Sequence, residues 1–202
     1  MRIGFIGAKT VAQTIARHVL PLGHTVVLSN SRGPDSLAGV VPDLGPGVSA
    51  GTVEHAAEQE IVILAVNWAN VPAALAAVPD WSGRILVDAT NRVVSLEPFS
   101  LGDLSGLSSS QIVADLAPGA RVVKAFNSAP MAWIPDFSPT KPKTTLFVSG
   151  DDAGAKTLIT DLIDEIGLVS IDLGSLAVGG RLQQLGGPLA GVRLNFVERF
   201  SL

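Results

Sequence analysis

The sequence predicts an α/β chain: a doubly wound, mainly parallel sheet with helices on both faces. Three observations carry this. Short apolar runs alternate with stretches of helical spacing along most of the chain. The first run, Arg2–Ile6, leads into a glycine turn that opens a helix. Residues 61–66 are continuously apolar, as expected of a strand buried on both faces.

The elements follow in order. Residues 10–22 place apolar side chains at 11, 12, 15, 16, 19 and 20, a helical stripe, and Gly23 ends that helix. Residues 25–28 form the second strand, 34–41 a short helix or turn, and 48–50 a weak third strand. Residues 52–58 form a helix with Thr52 as its N-cap. Residues 71–78 are helical, with Pro72 in the first turn. Strands are expected at 85–89, 121–125, 145–148 and 169–172, and helices at 109–116 and 153–166. Residues 95–108 read as a Ser/Gly/Leu-rich loop. From about residue 174 the chain is a Gly- and Leu-rich tail without a clear assignment.

Composition narrows the function. Of 202 residues, 47% are hydrophobic and 16% charged, which is enough apolar material for a core. We read residues 1–202 as a single domain. The net charge of -4 argues against nucleic acid and acidic membranes as partners. No apolar run reaches the length of a membrane span. A motif beginning at Met1 leaves no room for a signal peptide, so a cytoplasmic location is expected. The absence of cysteine excludes disulfides and thiolate chemistry, and the absence of tyrosine excludes a Tyr–Lys proton relay.

Gly7-Ala8-Lys9-Thr10-Val11-Ala12 occupies the place of a G-x-G-x-x-G fingerprint. A helix N-terminus offers free N–H groups to a pyrophosphate there, and Gly7 permits the turn. Ala12 suffices where only close helix–strand packing is required. Lys9 is the departure: its side chain either crowds the ligand or reaches a phosphate as a point charge.

The second strand chooses between the dinucleotides. An NAD site places Asp or Glu at its end, to bind the ribose 2′-hydroxyl. Here the strand ends Leu28-Ser29-Asn30-Ser31-Arg32, with no carboxylate before Asp35. Ser31 and Arg32 suit a 2′-phosphate, so the expectation is a Rossmann-type domain binding NADP(H).

At this point the chain resembles the F420-dependent NADP oxidoreductase family, which includes NADPH:F420 reductases. The resemblance rests on Ile3 to Ala8, Gly23 to Pro34, Ile63 to Trp68, Val87 to Asn91, Val122 to Ser128 and Val148 to Asp152. It implies that Gly7, Ala8, Lys9, Thr10 and Val11 cradle the pyrophosphate, and that Ser31 and Arg32 hold the 2′-phosphate. Ala65, Val66, Asn67 and Trp68 would line the nucleotide cleft. Asn91, Asn127, Ser128, Ala129 and Pro130 would lie near the nicotinamide. Family members often carry a second basic residue one turn beyond the arginine; here that place is near Ser36. A homodimer, and coenzyme F420 as second substrate, are further implications. Hydride transfer between two such cofactors needs little acid–base chemistry from the protein, and no catalytic residue is assigned.

Two other readings keep the cofactor. One is reduction of a flavin or of a small carbonyl or imine; the other is a non-catalytic NADP(H)-binding protein. His18, His24 and His55 lack metal-ligand spacing and are read as structural or solvated, and no metal site is expected. Asp151 and Asp152 read as a helix cap. Met131 and Trp133, in a Pro-flanked loop, are candidates for an acceptor wall or for packing. Residues 183–193 are candidates for closure over the site or a dimer contact.

Overall fold

The computed structural model describes residues 1–128, 143–192 and 194–196. Eleven strands are present among them: β1 Arg2–Ile6, β2 Thr25–Ser29, β3 Val48–Ala50, β4 Ile61–Leu64, β5 Ile85–Asp88, β6 Val93–Leu96, β7 Phe99–Leu101, β8 Arg121–Lys124, β9 Lys143–Gly150, β10 Val169–Asp172 and β11 Asn195–Phe196. The α-helices are α1 Thr10–Val19, α2 Val41–Leu44, α3 Val53–Ala57, α4 Val71–Ala76, α5 Ser109–Leu116, α6 Ala153–Glu165 and α7 Gly179–Gln183.

The main sheet runs β10-β9-β8-β5-β4-β1-β2-β3. From β3 to β8 every pairing is parallel. This is the Rossmann order: strands add outward from β1 through β2 to β3 on one side and through β4, β5 and β8 on the other, and a crevice opens beyond the strand ends at that switch. β9 joins antiparallel to β8, β10 pairs parallel with β9, and β11 pairs antiparallel with β9.

Alternation along the strands feeds a separate apolar layer on each face. Ile61 and Ile63 enter one layer, while Val62 and Leu64 enter the other. α1 buries Ala12, Ile15, Ala16 and Val19, the one-face spacing of an amphipathic helix. A 3₁₀ turn, Leu20–Leu22, follows it, and Gly23 then stops it at φ 83°. On the opposite face α3 lies very close to β1: a Cβ at Gly4 would sit 1.8 Å from the Ala56 carbonyl oxygen. Gly4 therefore sets the depth at which α3 packs.

Local signals account for the helix starts. Thr52 Oγ1 accepts from the His55 N–H at 3.2 Å. Ser108 and Gln111 form a reciprocal capping box at α5. Asp152 Oδ1 accepts from the Ala155 N–H at 2.7 Å and caps α6, while Asp151 accepts from the Leu176 N–H. His18 bonds the Thr14 carbonyl, and buried His24 bridges the Met1 amino group and Glu165.

Two segments depart from expectation. Residues 95–108 are not simply a loop: β6 and β7 form a hairpin that begins at Val93. Its strands are short and their apolar side chains Val94, Leu96 and Phe99 face outward, so no core-facing alternation announces them. The tail beyond residue 174 contains α7 and β11. α7 is short and starts with two glycines, a composition that argues against a helix until its packing is known. The region 34–41 resolves into a 3₁₀ turn, Pro34–Leu37, followed by α2.

Candidate functional site

The carboxyl ends of β1, β2 and β4 meet at one cavity of about 780 Å³. Gly7 forms its floor. Its φ is 113°, and a Cβ there would lie 2.2 Å from the Ala65 carbonyl oxygen, so glycine is required on both counts. The Gly7 N–H donates to the Ser29 carbonyl at 3.0 Å, and the Ala65 N–H to the Ile6 carbonyl at 2.8 Å. These bonds tie the three strand ends together.

Lys9 is the N-cap of α1, with φ -92° and ψ -163°. That is ordinary extended backbone, so a side chain here brings no strain. Lys9 is exposed, lines the cavity and has no ion-pair partner among the described residues. Arg32 also lines the cavity and is likewise unpaired.

The turn that carries Arg32 is braced from within. Asn30 Oδ1 accepts from the Arg32 N–H at 2.8 Å, and Asn30 Nδ2 donates to Ser36 Oγ at 2.9 Å. Ser36 Oγ in turn donates to the Gly33 carbonyl at 2.7 Å. Ser36 thus holds the turn together where the family resemblance suggested a second cation. The acid in the lining is Glu54, in the first turn of α3. A bond from its own backbone N–H, then one from Thr52, hold its carboxyl below the usual range.

Of the residues expected from sequence, Gly7, Ala8, Lys9, Ser31, Arg32, Ala65, Val66 and Asn67 line this one cavity. Thr10, Val11 and Trp68 lie outside the lining. Thr10 opens α1, Val11 packs on the core beneath it, and Trp68 opens the 3₁₀ turn before α4 and packs on the opposite apolar layer. Asn91, Asn127 and Ser128 stand apart, beyond β5 and β8. Ala129, Pro130, Met131 and Trp133 fall outside the described residues.

Asn91 and Asn127 belong to a buried polar network. Lys124 Nζ donates to Asp88 Oδ2 at 3.0 Å and to the Thr90 carbonyl at 3.3 Å. Ser110 and Thr90 hydroxyls also donate to Asp88. Burial pushes the Asp88 carboxyl up, but Lys124, then Ser110 and Thr90, more than offset it and hold it below its ordinary value. Phe126, buried and at φ 61°, turns the chain so that Asn127 points back into this network. Such a backbone costs a non-glycine residue about 1–2 kcal/mol. The sequence assigns no role to Asp88 or Lys124 and reads Gln183 only as the start of a stretch for closure over the site or a dimer contact; their apolar or glycine-rich surroundings do signal burial, but not partnership.

The cradle and the cations without an ion-pair partner among the described residues have the chemistry to hold a dinucleotide phosphate. The model for coenzyme F420-dependent NADP oxidoreductases matches residues 2–92. An Arthrobacter sp. FB24 protein, provisionally named an F420-dependent NADP reductase, is 30% identical, with a TM-score of 0.76. The match covers 87% of this chain and 86% of that one. This chain belongs to the F420-dependent NADP oxidoreductase family. A hypothetical protein of Sinorhizobium meliloti shares 36% identity and a TM-score of 0.88, with 96% of each chain covered. The rat metalloreductase STEAP3 is 28% identical over 176 residues, 87% of this chain and 34% of its own length. This member of the oxidoreductase family thus spans about a third of the length of the curated relatives it matches. Among the described residues, no helix is long and apolar enough to cross a membrane.

Proposed function

We propose that the chain is an NADPH-dependent reductase that passes hydride to coenzyme F420. One observation supports the cofactor choice above all: β2 ends without a carboxylate, and the turn beyond it presents Arg32, unpaired, to the cavity that Gly7 floors. Gly7, Ala8 and the N-terminus of α1 would hold the pyrophosphate, with Lys9 adding a charge. Ser31 and Arg32 would hold the 2′-phosphate. When bound, NADPH supplies the hydride. The chain's own residues would bind and orient both cofactors; reduction of F420 needs one proton besides the hydride, and solvent can supply it, so no proton relay is asked of them.

NADPH oxidation, followed with F420, with FMN, with a small carbonyl and with no acceptor, together with a titration of NADPH binding, tests the reading. Turnover with F420 alone is the expected result. Turnover with FMN or a carbonyl would move the acceptor to another class. Tight NADPH binding without turnover on any acceptor would replace the enzyme by a binding protein.

A further inference from the structure

Three amide side chains from distant parts of the chain meet at the carboxyl ends of β5 and β8. Gln183 Nε2 donates to the Lys124 carbonyl at 2.9 Å and to Asn127 Oδ1 at 3.2 Å. Gln183 Oε1 accepts from the Ser149 hydroxyl at 3.1 Å. Asn127 Nδ2 donates to the Gln183 carbonyl at 3.0 Å and to Asn91 Oδ1 at 3.3 Å. Asn91 Nδ2 donates to the Asn127 carbonyl at 3.0 Å.

The orientation of every amide follows from these bonds. The backbone carbonyls of Lys124, Gln183 and Asn127 each accept from a side-chain nitrogen, so each amide has only one way round. Both N–H groups of Gln183 and of Asn127 are then used. Among the described residues, nothing takes up the second N–H of Asn91 or the remaining lone pair of its side-chain oxygen. Asn91 is also the most open of the three: Gln183 is 0% exposed and Asn127 7%, whereas Asn91 is half-buried. A donor beside an acceptor is the complement of a primary carboxamide.

Strand order says which ligand would meet it. The phosphate-facing residues follow β2 and β1, Ala65 to Asn67 follow β4, and Asn91 follows β5, the next strand along. A dinucleotide with its 2′-phosphate at Arg32 and its pyrophosphate over Gly7 extends in this direction. We infer that Gln183 is a positioning residue that, through Asn127, fixes Asn91 to receive the nicotinamide carboxamide. This rests on the NADP(H) reading above.

The packing of α7 supports the assignment. A Cβ at Gly179 would lie 2.5 Å from Ser149 Oγ and 2.6 Å from the Leu173 carbonyl oxygen; at Gly180 it would lie 3.0 Å from Ser108 Oγ. Two glycines at its start let the helix settle deeply enough for Gln183 to reach the Lys124 carbonyl. The unit from β9 to α7 thereby gains a role: it braces the end of the site farthest from the phosphates.

Calorimetric titration of the full chain with NADPH and with 2′,5′-ADP, which lacks the nicotinamide half, separates the outcomes. Gln183→Ala, and the isosteric Gln183→Glu should the first not fold, are expected to weaken NADPH about tenfold, the worth of one well-made hydrogen bond. Affinity for 2′,5′-ADP should change by less than about twofold. Equal losses for both ligands would make Gln183 merely structural, and no loss for either would remove it from the site; each overturns the proposal. Wild-type protein that binds neither ligand would remove the NADP(H) reading itself, which the wild-type titration alone reveals.

Discussion

Lys124 Nζ lies 3.0 Å from Asp88 Oδ2, and solvent reaches neither side chain. Removing one partner strands a buried charge, so Lys124→Ala should cost about 3–5 kcal/mol. Replacing both, as in Asp88→Leu with Lys124→Met, should recover little of that loss, because the Thr90 N–H and the Thr90 and Ser110 hydroxyls would lose their buried acceptor. The pH dependence has a definite sign. The Asp88 carboxyl sits below its ordinary value in the fold, so its contribution is present above the unfolded pKa, about 4, and fades as pH falls through the folded value. Urea denaturation from neutral to acidic pH checks this. Asp88→Asn should flatten the acid limb, and curves parallel to wild type would exclude the pair as its source.

Arg32→Ala should weaken NADPH far more than NADH. A charge-assisted hydrogen bond contributes about 1.5–3 kcal/mol, which corresponds to roughly 10- to 100-fold. The same ratio should appear in thermal melts. NADPH at about 100 times its dissociation constant adds about 2.7 kcal/mol to wild type, and the variant should need correspondingly more ligand for an equal shift. Equal weakening of both dinucleotides would take the 2′-phosphate away from Arg32.

Lys9→Gly should weaken NADPH by about two- to fivefold at low salt, the range of an exposed charge pair. No relief of strain competes with that loss, because Lys9 already has extended backbone. Glycine is also an acceptable N-cap, so the fold should be little affected. Titrations at low and high salt should converge in the variant relative to wild type. Tighter binding in Lys9→Gly at both salts would mean that lysine obstructs the cradle.

Gly7→Ala should abolish NADPH binding and lower stability together. The added methyl meets the Ala65 carbonyl, a backbone atom that moves only with β4. A variant that melts normally and still binds NADPH would show that the turn is more pliable than its bonds to Ser29 and Ala65 suggest.

Much of this was legible in the chain because the signals are local. The glycine turn, the Thr52 and Asp152 caps, and the carboxylate-free end of β2 are each read within a few consecutive residues. β2, β4 and β5 announce themselves by three or four consecutive apolar residues. The rest depends on contacts that no short window contains. Asp88 and Lys124 are 36 positions apart, and Gln183 reaches its partners across 56 and 59. The hairpin of β6 and β7 turns its apolar side chains outward and so lacks the pattern by which strands are recognised. Ser36 illustrates a subtler limit: the sequence reveals the absence of a cation there, but not that the hydroxyl closes the turn beneath Arg32.

That closure bears on how quickly, and not only how tightly, an anion is received. Asn30 and Ser36 already hold residues 30–36 in the free chain. Fixing a backbone residue costs about 1–2 kcal/mol of conformational entropy, and here the loss falls in folding and not in association. A phosphate therefore collides with a surface that needs no rearrangement. Competing anions should then differ mainly in how long they stay, while their arrival rates remain alike.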